Sequence, residues 1–222
     1  MTNILNKKIF SVNVFIWIAF ILISITFVLY PEIDLYISSL FYDNGFYLKG
    51  SLYEVFFYKS VPIVVTTLAL GSIGLFLYNA IRGKNLLGVD NKTIVYLVLV
   101  LALAPGLIVN TTFKQNWERA RPGEIKEFGG EKTFSPAFIM TDQGGNSFSS
   151  GHGAAAFSVL GFALLARKRR SLWIGLALSY GVAVSFARII GGGHFFSDNV
   201  TSFFIVYITT NILYHYIIEK RS

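Results

Sequence analysis

Residues 10–30, 61–80, 94–110, 172–190 and 199–217 are apolar runs, each near the ~20 residues a helix needs to cross the hydrocarbon core of a bilayer. A sixth run, 151–166, is shorter and ends at Arg167-Lys168-Arg169-Arg170. Backbone polar groups in lipid find no water, so runs of this length admit helices and little else. The expected fold is an all-α membrane protein with six transmembrane helices, a single integral domain over residues 1–222. Composition agrees: 54% of the chain is apolar and 14% charged, against roughly 25% charged in soluble domains. The absence of cysteine excludes disulfides, thiolate metal sites and cysteine nucleophiles. Lys7 and Lys8 precede the first run as they would in a signal peptide, but no small-residue cleavage site follows, so the run reads as an anchor.

The net charge of +7 could suggest nucleic acid, but the basic residues cluster in short runs beside hydrophobic segments, which is the pattern of membrane orientation. Lys7, Lys8, Arg82, Lys84, Lys92, Arg167 to Arg170, Lys220 and Arg221 fall at the termini and in the even loops, accompanied there only by Asp90 and Glu219. The positive-inside rule then puts both termini in the cytoplasm. Stretches 31–60, 111–150 and 191–198 face outward. The first of these carries Tyr36, Phe41, Tyr42, Phe46, Tyr47 and Tyr53. It reads either as a simple aromatic belt or as a short amphipathic helix around residues 33–41 lying on the membrane.

Most of the polar chemistry collects at the outer helix ends. Lys114 and Arg121-Pro122 follow the third run, Ser149-Ser150-Gly151-His152 opens the fourth, and Arg188 to Asp198 joins the fifth to the sixth. An ionised side chain at bilayer depth costs about 2.5–3.5 kcal/mol on insertion scales, so Arg188 and Asp198 need a reason. Lys114, Arg121 and Arg188 brought together would call for a polyanion, and arginine suits bidentate contact with phosphate oxygens. Ser150 and Gly151 open a helix, where free N–H groups and the dipole favour an anion. His194 and Asp198 are one helical turn apart, so the carboxylate can fix the imidazole tautomer and leave the other nitrogen nucleophilic. His152, on the opposite flank, is placed to give a proton to a leaving group. Such a set needs neither metal nor cofactor. Taken singly the features are bland: His215 reads as an interfacial residue, and Arg119, Lys126 and Lys132 as solvated charges.

Lys114-x6-Arg121-Pro122, Ser150-Gly151-His152 and Arg188-x5-His194-x3-Asp198 together resemble the three-part signature of the type 2 phosphatidic acid phosphatase superfamily. The resemblance implies that His194 attacks phosphorus to form a phosphohistidine, Asp198 orients it and His152 protonates the leaving oxygen. It implies too that Lys114, Arg121, Ser150, Gly151 and Arg188 hold the phosphoryl oxygens. Two positions depart from the family pattern. Ser149 stands where a proline usually begins the second motif, and Ala187 where a serine usually precedes the arginine. Residues 105–110 leading into Phe113-Lys114, and 192–198, are similar to bacterial lipid A phosphatases that remove the 4′-phosphate. That likeness implies a lipid phosphate substrate, lipid A, met at the periplasmic face of a bacterial inner membrane. Undecaprenyl diphosphate and phosphatidylglycerophosphate phosphatases share the same catalytic residues and are the alternative.

Two other readings compete. A serine hydrolase built from Ser150, His194 and Asp198 would leave the three cations without purpose. A transporter or structural membrane protein would carry its charges along a pathway through the spans rather than at one interface.

Overall fold

The computed structural model describes residues 7–220, so Arg221, counted above among the inner basic residues, lies outside the described residues. The chain is mostly helical. A two-stranded antiparallel hairpin, β1 (Lys8–Ile9) with β2 (Val12–Asn13), leads into α1 (Val14–Leu29). The expected first span began at residue 10, but Phe10 and Ser11 take positive φ in the hairpin turn. The Asn13 side chain then accepts the Phe15 N–H at 2.8 Å, which starts the helix at Val14. Pro31 ends α1, because the residue before a proline is driven out of the helical region. The chain bends by 81° into α2 (Glu32–Ser39), the short helix anticipated around residues 33–41.

Helix α3 (Leu52–Arg82) starts nine residues earlier than the apolar run 61–80 suggested. Ser51 caps the Glu54 N–H, and the Glu54 carboxylate accepts from the Gly50 N–H at 3.2 Å. That pairing is the capping signature of a helix start. Gly83, left-handed at φ 60°, closes the other end. At 1.5 Å per residue α3 is about 46 Å long, longer than the ~30 Å of a hydrocarbon core.

Asp90 caps α4 (Asn91–Leu101), accepting from Thr93 N at 2.8 Å. Its continuation, Ala102–Phe113, is π-helical and contains Pro105, which has no N–H to give. The wide turns carry their own side-chain bonds: Asn110 Nδ2 to the Pro105 carbonyl at 2.7 Å, and Thr111 and Thr112 to the carbonyls five residues back. The run ends in α5 (Lys114–Trp117). After a long loop come α6 (Gly151–Phe157), α7 (Val159–Leu164), α8 (Arg170–Ile190) and α9 (Phe196–Leu213), the last extended by a π-helical stretch Tyr214–Glu219.

Among the described residues, four helical runs are each long and apolar enough to cross a membrane: Leu52–Arg82, Asn91–Glu124, Arg170–Ile190 and Phe196–Glu219. The bent pair α1 and α2 makes a fifth when counted as one, and Gly151–Leu164 is apolar but short. Helix α6 sits at the centre, packed on α3, α8, α9 and the π-helical run. Small residues permit that approach, as is usual where helices associate in lipid. A methyl group on Gly181 of α8 would stand 2.1 Å from the Phe157 ring of α6, and one on Gly161 of α7 would stand 2.8 Å from Val100 of α4.

Replacing Gly181 with valine should therefore destabilise the bundle by about 1–3 kcal/mol, the usual cost of overpacking. Gly175 of the same helix has nothing within 4 Å of an added methyl, so Gly175→Val should be neutral. Denaturant unfolding of the purified protein in one detergent compares the two directly.

Candidate functional site

Backbone hydrogen bonds tie the three polar clusters together. Gly123 N donates to the Gly192 carbonyl at 3.1 Å, joining the segment after Arg121 to the glycine turn. Ser147 N donates to the Arg119 carbonyl at 2.9 Å, and Ser150 N to the Asp198 carbonyl at 3.3 Å. The Ser202 hydroxyl bridges the carbonyls of Ser150 and Asp198, at 2.9 Å each. Close approach is built in. A methyl group on Gly145 would meet the Arg119 carbonyl oxygen at 2.1 Å, and one on Gly193 the Arg188 guanidinium at 2.1 Å. Gly192 has φ 66°, a conformation glycine adopts without strain.

His194 lies in the turn 191–195, just before α9 rather than on it, and is buried. Its Nδ1 is 2.7 Å from the Ser147 carbonyl and 3.6 Å from Asp198 Oδ2. A carbonyl can only accept, so Nδ1 carries the proton and the lone pair is on Nε2. The tautomer is thus held first by a backbone carbonyl that the sequence could not reveal, with Asp198 behind it. Burial pushes the imidazole down to about 3, so His194 is neutral at physiological pH.

Asp198 is saturated by other donors. Its Oδ2 accepts from the Ser147 hydroxyl at 2.5 Å and the Phe195 N–H at 2.8 Å, and its Oδ1 from Arg119 Nη1 at 2.6 Å. Arg119, expected to be solvated, is fully buried. Its guanidinium lies between two carboxylates, with Nη2 on Asp34 Oδ2 at 2.8 Å. Nε donates to the Ser135 carbonyl at 2.9 Å, and the plane packs 4.3 Å from the Phe195 ring centre. Asp34 reaches this point from α2, where it also accepts from the Ser197 N–H at 2.9 Å and the Ser197 hydroxyl. The reason for the correction is pairing: two buried carboxylates supply the charge that makes burial of a guanidinium tolerable. Lys126 is exposed as expected, and half-buried Lys132 pairs with Glu124 at 3.2 Å. His215 pairs with Glu219 at 3.0 Å, away from the site.

The cations form a second layer. Lys114 is within electrostatic reach of Arg121, Arg188 and Asp198, and His152 of all three cations. A methyl group on Gly151 would stand 3.1 Å from Lys114 Nζ, so the α6 start and the end of the third run touch. Ser150 caps α6, its hydroxyl oxygen accepting from Gly153 N at 3.2 Å, which leaves the hydroxyl proton to donate outward. The Nε groups of Arg121 and Arg188 are buried with no hydrogen-bond partner among the described residues. Donors left in that condition are costly unless an anion uses them. Ser149, where the family pattern has proline, is buried with its hydroxyl also unpartnered, and Ala187 is fully buried in α8.

Glu54 and Tyr58, from the first turns of α3, were not anticipated. Glu54 Oε1 is 3.8 Å from Arg188 Nη1. The Tyr58 ring lies 4.8 Å from the Arg188 guanidinium carbon and stacks on His152 at 4.5 Å, nearly parallel at 19°. The capping pair Ser51-x-x-Glu54 was the signal that α3 would reach this far. Asp34 offered a weaker one, a carboxylate in an amphipathic segment. Lys114, Gly151 and His152 line a cavity of about 250 Å3 whose other wall is Val61, Pro62 and Val65 of α3.

A sequence model of the PAP2 superfamily matches residues 94–222. The lipid A 4′-phosphatase of Francisella tularensis subsp. novicida (strain U112) is 29% identical over 208 residues, covering 89% of this chain and 92% of that protein. No solved structure matches the chain significantly.

Removing the charge at position 119 should leave Asp34 and Asp198 buried without their counter-ion. Arg119→Met is expected to cost about 3–5 kcal/mol of stability, the range for breaking a buried pair from one side. Arg119→Lys should recover part of it, since an ammonium supplies charge without the planar fork. Unfolding in detergent measures both, and equal stability of Met and wild type would refute the pairing argument.

Proposed function

Because the chain belongs to the PAP2 superfamily and is a phosphoric monoester hydrolase, we propose that it removes a phosphate from lipid A, at the 4′ position, through a phosphohistidine on His194. The observation that carries this reading is the lock on His194. Its Nδ1–H is committed to the Ser147 carbonyl, so a neutral imidazole keeps its lone pair on Nε2, with Arg188 and Lys114 within electrostatic reach of the ring. In the first step Nε2 bonds to phosphorus and the phosphorus–oxygen bond to the sugar breaks. Burial, Arg188, Lys114 and Arg121 push free His152 down to about 4, so it would take up a proton as the anionic phosphate offsets those cations, and give that proton to the departing oxygen. In the second, His152 takes a proton from water, the hydroxide attacks the phosphohistidine, and phosphate leaves with His194 restored.

The cations would spread the charge on the phosphoryl oxygens, together with the Ser150 hydroxyl and the Gly151 N–H at the start of α6. Arg188 would be fixed against Tyr58 and Glu54 while its Nε–H is used by phosphate. Asp198, 3.6 Å from Nδ1, would stabilise the positive charge that develops on the ring. The name of the Francisella relative, similar over most of both chains, favours lipid A; undecaprenyl diphosphate and phosphatidylglycerophosphate are the alternatives.

Orientation belongs to the same proposal: six spans, with both termini in the cytoplasm and the site at the periplasmic face of the inner membrane. The Lys/Arg asymmetry supports it, as does the collection of all the site residues at one set of helix ends. A reporter fused after Arg169 should report cytoplasm, and one inserted at Gly129 should report periplasm. The reverse pair would sink the location.

The chemistry is tested by rapid-quench product release with two variants and two substrates. His194→Ala should be inactive on lipid A and on an aryl phosphate alike. A sugar alkoxide leaves poorly, so His152→Ala should lose roughly 10²–10⁴-fold on lipid A. An aryl oxide leaves without help, so the same variant should give a burst of aryl alcohol and stall as phosphohistidine. Full activity of both variants on lipid A would place the chemistry elsewhere. Unchanged lipid A beside rapid hydrolysis of undecaprenyl diphosphate would move the substrate to the alternative.

A further inference from the structure

A second basic site lies at the other end of the bundle. Helix α8 begins at Arg170 and ends beside the active site, and its 21 residues separate the two ends by about 30 Å. At the Arg170 end is a cavity of about 700 Å3 between α3, α4, α7, α8 and the π-helical end of α9. Its inner wall is apolar, with Leu75, Leu97 and Leu164, and its mouth carries Arg167 and Arg170. Both arginines are exposed, and neither has a carboxylate partner among the described residues. The nearest acids in sequence are otherwise engaged: Asp90 caps α4, and Glu219 pairs with His215.

Two further features favour an anion there. The Arg170 guanidinium is held 5.0 Å from the Tyr214 ring centre, which fixes its position at the mouth. Helix α8 has no side-chain cap and no acidic residue in its first turn, so its positive end is uncompensated. A free anion would use the mouth but leave the apolar wall uncovered. A ligand with a phosphate and a hydrocarbon chain uses both.

We propose that this cavity binds an anionic phospholipid, with its phosphate at Arg167 and Arg170 and an acyl chain along Leu75, Leu97 and Leu164. Leu87, at the rim and 84% exposed, would sit in the headgroup layer beside it. Basic pockets between helices on the cytoplasmic side of a membrane are where such headgroups bind. The site is separate from the catalytic one and does not rest on the phosphatase reading.

Native mass spectrometry of the full-length protein, titrated with phosphatidylglycerol or phosphatidylcholine of identical chains, tests this. Wild type should retain phosphatidylglycerol in preference, and Arg167→Gln/Arg170→Gln should weaken that retention by roughly 10-fold or more. Aryl phosphate hydrolysis by the double variant should be unchanged, since both residues lie at the far end, and this reports an intact fold. Arg82→Gln/Lys84→Gln removes two charges from the same end outside the cavity and should retain lipid as wild type does. Equal retention of the two lipids by wild type, or of phosphatidylglycerol by the Arg167/Arg170 variant, would overturn the proposal. So would an equal loss in the Arg82/Lys84 variant, which indicates diffuse surface charge. Competition by glycerophosphoglycerol as effective as by the intact lipid would overturn the acyl-chain half.

Discussion

The buried guanidinium of Arg119 is the interaction on which the candidate-site end of the molecule depends. It lies between Asp34 of α2 and Asp198 of α9, and it also holds the Ser135 carbonyl in the long loop. Three segments far apart in sequence are thus pinned to one planar group whose donors point in fixed directions. Removing both carboxylates and the guanidinium together could leave an apolar core no less stable, because buried ion pairs repay desolvation only when their geometry is good. What an apolar core could not supply is direction. Asp198, held by Arg119 and by the Phe195 N–H, in turn holds the Ser147 hydroxyl, and the Ser147 carbonyl holds His194. The imidazole is aimed by a chain of contacts that begins on α2.

Two electrostatic layers follow from this. The inner layer is compensated: one guanidinium, two carboxylates and serine hydroxyls with their partners satisfied. The outer layer is not. Lys114, Arg121 and Arg188 are close enough to repel one another, and among the described residues Glu54, at 3.8 Å from Arg188, is the one carboxylate that pairs with any of them. Like charges held together on rigid helix ends store an interaction that an incoming phosphate would relieve. The inner layer supplies the rigidity; the outer supplies the affinity.

The sequence made the outer layer legible and the inner one nearly illegible. Lys114, Arg121, Arg188 and His194 stand at helix ends with nothing apolar to explain them, so spacing and charge were enough to gather them. Arg119 gave no such sign. It is two residues from Arg121 in a polar segment, and only tertiary pairing with Asp34, 85 positions away, distinguishes it from a solvated charge. The helical runs were readable from hydropathy, and the end of α8 at Ile190 and the start of α6 at Gly151 with them, but the starts of α1 and α3 were not. The start of α1 was decided by the Asn13 cap, and that of α3 by Ser51 and Glu54, local polar bonds that an average over an apolar window does not see. The Ser147 carbonyl could not have been found at all, since a backbone acceptor carries no residue identity.

The extension of α3 bears most directly on how the substrate is chosen. Its first turns bring Glu54 and Tyr58 over the site, and its next turn supplies Val61, Pro62 and Val65 as the apolar wall opposite Lys114 and His152. The cavity so formed, about 250 Å3, is below the roughly 300–1,000 Å3 of pockets that enclose a drug-sized ligand. It can take a phosphate and the carbon that bears it, and the rest of a disaccharide headgroup has to remain outside. On the proposed reading, discrimination among phosphorylated lipids cannot be made by the residues assigned to phosphorus, which any phosphomonoester would satisfy alike. It would fall to the surface around the mouth: exposed Tyr53 and Tyr58 on α3, and the half-buried pair Tyr42 and Phe46 beside the glycine turn. A family can keep one phosphate cradle and change its lipid by changing that rim.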